Sequence, residues 1–379
     1  AYYLQPDRVA DVLMDRDGLI AEVNRKIDPK PDQTPVTKEN GQDGIYLPLN
    51  SALYGTLQAA LLFWQNLSSQ LVEWGFEINP YHFCVANKII NGKQCTIVWH
   101  VGDLKISHVD PKVVTTILDL LDARYGQEIV GGKRAPLTIT RGRVHDYLGM
   151  LLDYTEDGAV KIDMREYLEK FLDEMPEDMD GTAASPAADY LFQVKDNVEL
   201  LDDAGSIFFH KSVAKLLFLC KRGRPDIQTS IAFLCTRVQH PTKHDYNKLS
   251  RTVKYLRKTR ELVLRLTADN LNVIKWWVDA SYAVHPDMKS HTGGVMSLGT
   301  GAAYSASKKQ KLNTKSSTES ELVGIDNILP QALWTKYFME DQGYGTDTIL
   351  SLLYSYAADD EPRLIHIDCC HINVHRHVS

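Results

Sequence analysis

The stretch ALYGTLQAALLFW (residues 52–64), followed by VWHVGDLKISH (residues 98–108), carries the strongest structural signal in the sequence. Leucine and tryptophan recur from residue 53 to residue 74 at steps of three and four, which predicts a helix over residues 51–75. The apolar run 95–101 predicts a buried strand, with its antiparallel partner across a tight turn. Asp103 lies at that turn. An aspartate there commonly serves turn geometry alone, but it can also present a carboxylate to metal ions.

A second pattern begins at WWVDAS (residues 276–281) and ends in SASKKQKLNTKSSTESELVGI (residues 305–325), with a glycine-rich strand between them. It predicts that Asp279 lies on a strand and that Glu321 lies near the start of a helix over residues 317–341. Carboxylates on neighbouring elements can hold Mg²⁺ against a nucleic-acid phosphate. The alternative is that Asp279 is an ordinary strand-edge residue.

The segment between these two patterns changes character along its length. Residues 147–152 and 159–163 predict a hairpin. Residues 177–205 are acidic and rich in alanine and proline, which predicts a linker or long loop. Residues 208–259 predict helices, with a break at the Gly-Arg-Pro sequence of residues 223–225.

Two basic surfaces are predicted. Lys248, Arg251 and Lys254 share one face of a predicted helix, while leucine and valine occupy another face. Lys308 and Lys309 precede the predicted Glu321 helix. Such faces can neutralise the phosphates of a nucleic-acid duplex, although a solvated helix surface has the same pattern.

Composition limits the classes of function. The chain has 379 residues, and 44% of them are hydrophobic, so it can bury more than one core. Its net charge of −7 argues against an all-round basic coat for nucleic acid. Six cysteines without a Cys-x-x-Cys pair, and no basic, apolar leader, predict a reduced intracellular chain without a membrane span. Because the first residue is Ala1, a fragment is expected.

These motifs together resemble the Pol polyprotein of copia-type LTR retrotransposons. Residues 52–64 resemble the ALYGLKQAPRAW-like helix of the family's reverse transcriptase palm, and residues 100–103 resemble its YVDD turn. Residues 209–259 resemble the thumb and connection segment. The Asp279 strand, the SASKKQ segment and the SSTESE helix start resemble the family's ribonuclease H domain.

The resemblance implies an α+β fold with five parts. They are a partial reverse transcriptase palm over residues 1–176, a linker over 177–207, a helical thumb/connection over 208–260, an α/β ribonuclease H-like domain over 261–350 and a divergent tail over 351–379. The implied function is RNA-directed DNA synthesis with hydrolysis of the RNA strand. The implied location is a cytoplasmic particle or the nucleus.

The resemblance also assigns site residues and partners. Asp103, Asp279 and Glu321 are the implied catalytic residues and ligands of Mg²⁺ or Mn²⁺. Tyr54 and Gln58 are the implied groove residues beside Asp103. The implied partners are an RNA template, a DNA primer, an RNA–DNA hybrid and other products of the same polyprotein. No membrane partner is implied.

Three departures from the family pattern predict impaired catalysis. Gly102 occupies the first aspartate position of the turn, and glycine has no ligand atom. The family's upstream aspartate is expected just before Ala1, and Leu353 occupies the position of the third ribonuclease H carboxylate. Two alternatives to an enzyme therefore stay open, a non-catalytic nucleic-acid-binding remnant and a poorly folding pseudogene product.

Overall fold

A computed structural model describes residues 57–126 and 137–354 except residue 196, together with short strands at residues 36–37, 43–44, 129–130, 133–134 and 363–368. The chain divides into two compact units, residues 1–137 and 138–379. The start of the predicted 51–75 helix lies outside the described residues. No helix in the described ranges has the length and apolar character needed to cross a membrane.

The first unit contains two helices and a four-stranded antiparallel sheet, whose strands lie in the order β3-β4-β5-β6. Its elements are β1 (Val36–Thr37), β2 (Asp43–Gly44), α1 (Leu57–Glu73), β3 (Glu77–Ile78), β4 (Val85–Ile90), β5 (Lys93–His100), β6 (Asp103–Ser107), α2 (Pro111–Tyr125), β7 (Ile129–Val130) and β8 (Lys133–Arg134). Alternate residues Cys95, Ile97 and Trp99 of β5 are buried, as a half-covered strand requires. The predicted strand and its partner are confirmed, with bounds shifted by about two residues.

Helices α1 and α2 cover the core of this unit. Leu67 and Leu71 of α1 are fully buried, whereas Leu61, on the predicted apolar face, is 52% exposed. The apolar spacing therefore predicts the helix correctly but overestimates how far it is covered. Helix α2 begins sharply because the Asp110 side chain accepts the Lys112 N–H at 2.9 Å and Pro111 occupies the first helical turn.

The second unit contains two sheets and a group of helices. Its elements are β9 (Val144–Tyr147), β10 (Met150–Asp153), β11 (Ala159–Asp163), α3 (Arg165–Asp173), α4 (Asp203–Cys220), α5 (Gln228–Cys235), α6 (Lys243–Lys258), β12 (Leu264–Thr267), β13 (Val273–Ser281), β14 (His291–Ser297), β15 (Tyr304–Lys309), α7 (Ser317–Asp341), β16 (Asp347–Tyr354) and β17 (Arg363–Asp368). Short 3₁₀ turns occupy Glu177–Met179 and Pro225–Ile227.

The unit boundary differs from the predicted one at residue 176. The predicted hairpin forms from β10 and β11, and β11 also pairs antiparallel with β12, which follows the helices in sequence. This pairing gives the sheet order β12-β11-β10-β9 and places residues 138–176 in the second unit. Long-range strand pairing of this kind leaves no local mark in the sequence.

The predicted linker over residues 177–207 is packed against the helices. Met179 is fully buried and Leu191 is 5% exposed within the same core as Leu216 and Leu249. The predicted break after α4 is confirmed. There Arg224 is buried, with its guanidinium bonded to Asp226 and to Thr259.

The second sheet has the order β15-β14-β13-β16-β17. Strands β13 and β16 are parallel, and the other neighbours are antiparallel. Helix α7, which has the predicted bounds, packs on the face that carries Ile274, Trp276 and Val278. The approach is so close that a Cβ on Gly294 would lie 2.5 Å from Ile328 Cδ1.

The predicted tail contributes to this sheet. Strand β16 continues past the predicted boundary at residue 350 as far as Tyr354, and β17 pairs with it between Ile349↔Asp368 and Tyr354↔Arg363. The segment LIHI contains two isoleucines and SLLY ends in a tyrosine, residue types that favour strands.

Candidate metal site

Two of the predicted carboxylates come together where β13 meets the start of α7. Asp279 lies near the end of β13, and Glu321 lies in the first turns of α7. The Ala280 N–H donates to Glu321 Oε1 at 3.3 Å. The described pairing of β13 with β16 ends at Val278↔Leu352, two residues before this amide. The sheet thus offers a backbone donor to the helix at this point.

Local sequence explains how α7 presents Glu321. The Ser316 side chain accepts the Glu319 N–H at 3.2 Å, and Glu319 Oε2 accepts the Lys315 N–H at 2.6 Å. Glu319 therefore belongs to the helix cap, with its carboxylate bonded to the residue that precedes the N-cap Ser316. One turn later, Gly324 faces the sheet, where an added Cβ would lie 3.4 Å from Ala280 Cβ, an ordinary van der Waals distance.

The electrostatics of the pair favour a bound cation. Glu321 is 9% exposed, and burial together with the charge of Asp279 raises the pKa of Glu321 to about 7. Burial also raises the pKa of Asp279, while the Ala280 amide lowers it. A positive ion beside both groups would relieve the repulsion that burial strengthens.

The donor set fits Mg²⁺ or Mn²⁺, which prefer carboxylate oxygens. Glu321 Oε2 is buried and has no hydrogen-bond partner among the described residues, so one ligand oxygen is available. In the described ranges, no group of three or more His, Cys, Asp or Glu residues is placed to hold a metal. The site therefore has two carboxylates where the resemblance implies three.

Strand register gives the level of position 353 in the sheet. Val278 of β13 pairs with Leu352 of β16 in a parallel arrangement, so position 353 follows one residue further along, as Asp279 follows Val278. Position 353 thus comes level with Asp279. This is the place at which the resemblance implies a carboxylate.

Replacing Glu321 by glutamine is expected to change how stability depends on pH. A carboxyl whose pKa is raised by folding contributes its full share to the free energy of unfolding only below its unfolded-state pKa. For Glu321 this contribution is lost as the pH rises through about 7. When the pH is raised from 4.5 to 8, the free energy of unfolding of Glu321→Gln should therefore increase relative to that of the wild type by on the order of 1–3 kcal/mol. Chemical denaturation at both pH values measures this difference. If variant and wild type differ in free energy of unfolding by the same amount at both pH values, ionisation of Glu321 does not destabilise the folded state.

Asp103 lies in a strained turn of the first unit. The hairpin pairs His100 with Asp103, which leaves Val101 and Gly102 as the loop residues. Val101 has a φ of 52°, an uncommon conformation for a β-branched residue. Asp103 is exposed beside this turn. A Cβ added at Gly102 would meet nothing within 4 Å, so an aspartate fits there.

Replacing Val101 by glycine is expected to stabilise the first unit by about 0.5–1 kcal/mol, because glycine adopts positive φ without the Cβ penalty. Asn91→Gly is the matched control, since Asn91 also has a φ of 52° in a hairpin turn but asparagine tolerates it. Denaturant unfolding should show the gain for Val101→Gly alone. Equal effects of the two substitutions would contradict stored strain at residue 101.

The structure corrects the predicted basic face of α6. Lys248 is 3% exposed, and its Nζ donates to the Gln193 carbonyl at 2.5 Å, so it cannot reach a phosphate. Burial lowers the pKa of Lys248 to about 8. Arg251 donates to Ser185 Oγ at 3.0 Å, and the Lys254 carbonyl accepts the Ala183 N–H at 3.2 Å. The segment predicted as a linker covers this face.

The remaining predicted nucleic-acid residues have different outcomes. Tyr54 lies outside the described residues. Gln58 is exposed at the start of α1, and no described contact joins it to Asp103. Lys308 is exposed, with its Nζ donating to the Asn327 carbonyl at 2.8 Å. Lys309 is half-buried and pairs with Asp287 at 2.8 Å.

A buried histidine pair, which was not predicted, lies at the start of β14 in the second sheet. His285 Nε2 is 3.0 Å from His291 Nδ1, and His291 Nε2 is 2.7 Å from Ser307 Oγ. The ring of Phe192 lies 5.0 Å from both imidazoles between centroids. Burial lowers the pKa of each histidine to about 4. The sequence spacing of the pair gives no sign of this contact.

Comparison with known proteins identifies the class to which the chain is similar, retrotransposon Pol polyproteins. The Ty5-1 transposon protein YCL074W of Saccharomyces cerevisiae is 22% identical over 277 residues, covering 73% of this chain and 86% of that protein. The Pol polyprotein of transposon TNT 1-94 from Nicotiana tabacum is 23% identical over 352 residues, covering 89% of this chain but 25% of the polyprotein.

Another relative is named as an effector protein and not as a transposon protein. Secreted RxLR effector protein 161 of Plasmopara viticola is 26% identical over 124 residues, or 32% of this chain and 87% of that protein. No protein-family model and no solved structure matches the chain.

Proposed function

We propose that the chain is a segment of a copia-type retrotransposon Pol polyprotein whose second unit contains a ribonuclease H-like domain. In this proposal Asp279 and Glu321 would hold Mg²⁺ or Mn²⁺, through which the domain would contact the RNA strand of an RNA–DNA hybrid. The observation that carries it is the shared position of the two carboxylates at the Ala280 amide, where one oxygen of Glu321 is buried without a described partner.

Two further findings support this function. The similarity to Pol polyproteins covers 73% and 89% of the chain in the two transposon relatives. The second sheet is a mixed one, in which three antiparallel strands, a covering helix and a parallel strand follow in sequence. This arrangement fits the α/β domain that the resemblance implies.

The residues of the chain have separate tasks in this mechanism. The Ala280 N–H fixes one oxygen of Glu321 at 3.3 Å, which leaves the other oxygen to bind. The raised pKa of Glu321, about 7, means that the pair gains its full charge only at neutral pH and above. Lys308 and the neighbouring Lys311 are exposed close to the start of α7 and can contact phosphates. The bound metal would supply charge stabilisation at the scissile phosphate and activation of water.

Two carboxylates are too few for the reaction at full rate. Two-metal hydrolysis needs ligands that bridge and flank both ions, and position 353 offers none. We therefore propose that this chain binds the hybrid and divalent ions but hydrolyses RNA weakly or not at all.

The first unit is proposed to have lost DNA synthesis, and Gly102→Asp alone is expected not to restore it. The substitution fits sterically and places two carboxylates at residues 102 and 103. Metal binding for nucleotidyl transfer also needs a carboxylate from a second strand, and in the described ranges no group of three or more His, Cys, Asp or Glu residues is placed to hold a metal. Primer extension on an RNA template with Mg²⁺ tests this. Extension by Gly102→Asp, but not by Gly102→Asn, would show that residues within the chain supply the missing ligand.

The proposed function is tested by binding of the full chain to a labelled RNA–DNA hybrid, with and without Mn²⁺. We expect Mn²⁺ to tighten binding of the hybrid more than that of a DNA duplex, and Asp279→Asn to remove the Mn²⁺ effect. Lys308→Gln should weaken binding and lower its salt dependence by about one unit of slope. Binding that is unaffected by Mn²⁺ and by Asp279→Asn would overturn the proposed site.

A further inference from the structure

Gln310 is a buried polar residue directly after β15. It is 1% exposed, and its Nε2 donates two hydrogen bonds, to Thr292 Oγ1 at 3.0 Å and to the Ser320 carbonyl at 2.8 Å. Thr292 and Ser320 are themselves fully buried. All three groups therefore depend on one another for hydrogen bonding in this part of the core.

The two partners of Gln310 adjoin the two halves of the metal site. Thr292 of β14 pairs with Ala280 of β13, next to Asp279. Ser320 immediately precedes Glu321 on α7. Because the Ala280 N–H bonds Glu321, the contacts form a closed ring from the sheet through Gln310 to the helix and back.

We infer that Gln310 is a positioning residue that holds the start of α7 against the sheet and so fixes Glu321 beside Asp279. This inference rests on the proposed function, since the positioning matters only if the two carboxylates bind a metal. The class of ligand at the positioned site is a divalent cation with hard, oxygen-preferring chemistry, such as Mg²⁺ or Mn²⁺.

Packing alone does not explain a glutamine at this position. Burying an amide is costly unless its hydrogen bonds are made, and an aliphatic residue would fill the same space without that cost. The Oε1 atom of Gln310 is buried without a hydrogen-bond partner among the described residues, so the side chain is held by its donors. Glu321 has one described hydrogen bond, which leaves its position dependent on where the backbone of α7 begins.

The test compares Gln310→Met with Thr335→Val in the full chain. Methionine keeps the length of the side chain and removes both donors. Thr335 is a matched control because it is 5% exposed on the same helix and its hydroxyl donates to the Gln331 carbonyl at 2.8 Å. It lies 14 residues beyond Glu321, or about 21 Å along the helix.

Two readouts separate positioning from general stability. The first is hydrogen exchange of the Ala280 amide, which reports its bond to Glu321 and needs no metal. The second is the affinity for Mn²⁺ measured by calorimetry. We expect Gln310→Met to expose the Ala280 amide to exchange and to weaken Mn²⁺ binding by about tenfold or more, as loss of an outer-shell contact does. Thr335→Val should change neither.

The outcomes are distinct for the two claims. If the wild type binds no Mn²⁺, the proposed function fails, and exchange at Ala280 still decides the role of Gln310. If Gln310→Met keeps both Ala280 protection and Mn²⁺ affinity, the positioning role is overturned. Thr292→Val removes one of the two acceptors and serves where Gln310→Met does not fold, with the same expected direction in both readouts.

Discussion

Replacing Leu353 by aspartate is expected to raise the affinity of the chain for Mg²⁺ by about tenfold or more, because a third carboxylate adds a charged ligand to the site. The register supports the position, since Val278 pairs with Leu352 and the next residues along the two strands are Asp279 and position 353. The same substitution is expected to give measurable cleavage of the RNA strand in a hybrid, where the wild type gives little or none.

Ser351→Asp is the matched control for this prediction. Ser351 pairs with Trp277 on the same two strands, so an aspartate there lies two residues away from the level of Asp279. It adds the same charge to the same strand without completing the site. Calorimetry with Mg²⁺ and a gel assay with a labelled hybrid measure the two effects. Equal gains for Leu353→Asp and Ser351→Asp would mean that net charge, and not a third ligand, governs binding.

Acidification is expected to unfold the second unit through its buried histidine pair. His285 and His291 are 3% and 5% exposed, and the pKa of each is lowered to about 4 by burial. Lys309 lowers the pKa of His285 further, whereas Asp287 raises it. A histidine with a lowered folded-state pKa costs stability as pH falls below its unfolded value of about 6.5, because the unfolded chain binds protons first.

The expected loss between pH 7 and pH 4.5 is on the order of 2–5 kcal/mol for the pair. His291→Gln should remove about half of the loss, while His240→Gln, at an exposed position, should leave it unchanged. Denaturant unfolding at the two pH values measures the acid-induced loss of unfolding free energy for each variant. Because Glu321 is present in all of them, its opposite pH dependence cancels when the variants are compared with the wild type. An equal acid loss in the wild type and His291→Gln would place the sensitive group elsewhere.

Local elements of this fold could be predicted from the sequence because their signals are local. The SSTESE sequence predicts the start of α7, and the observed bounds of this helix, Ser317–Asp341, are the predicted ones. The apolar run 95–101 predicts β5, and the WWVDAS sequence predicts β13. The predicted helix start places Glu321 in the first turns of α7, where the Ser316 side chain caps the helix by accepting the Glu319 N–H.

Long-range contacts could not be predicted from these signals. The pairing of β11 with β12 joins segments about a hundred residues apart and moves the unit boundary to residue 137. Lys248 fits a solvated basic face by helical spacing, yet the chain around residue 193 covers it. No local pattern marks Gln310 in the sequence, because its two hydrogen-bond partners, Thr292 and Ser320, come from other elements of the fold.

The proposed divalent-metal site at Asp279 and Glu321 can be tested by Mn²⁺ titration followed by NMR. The ion broadens amide resonances near it, so backbone spectra of the deuterated full chain show where it binds. We predict that the Ala280 and Glu321 amides broaden first, and that the double variant Asp279→Asn/Glu321→Gln abolishes this effect. Broadening centred elsewhere, or unchanged at Ala280 in the double variant, would contradict the site.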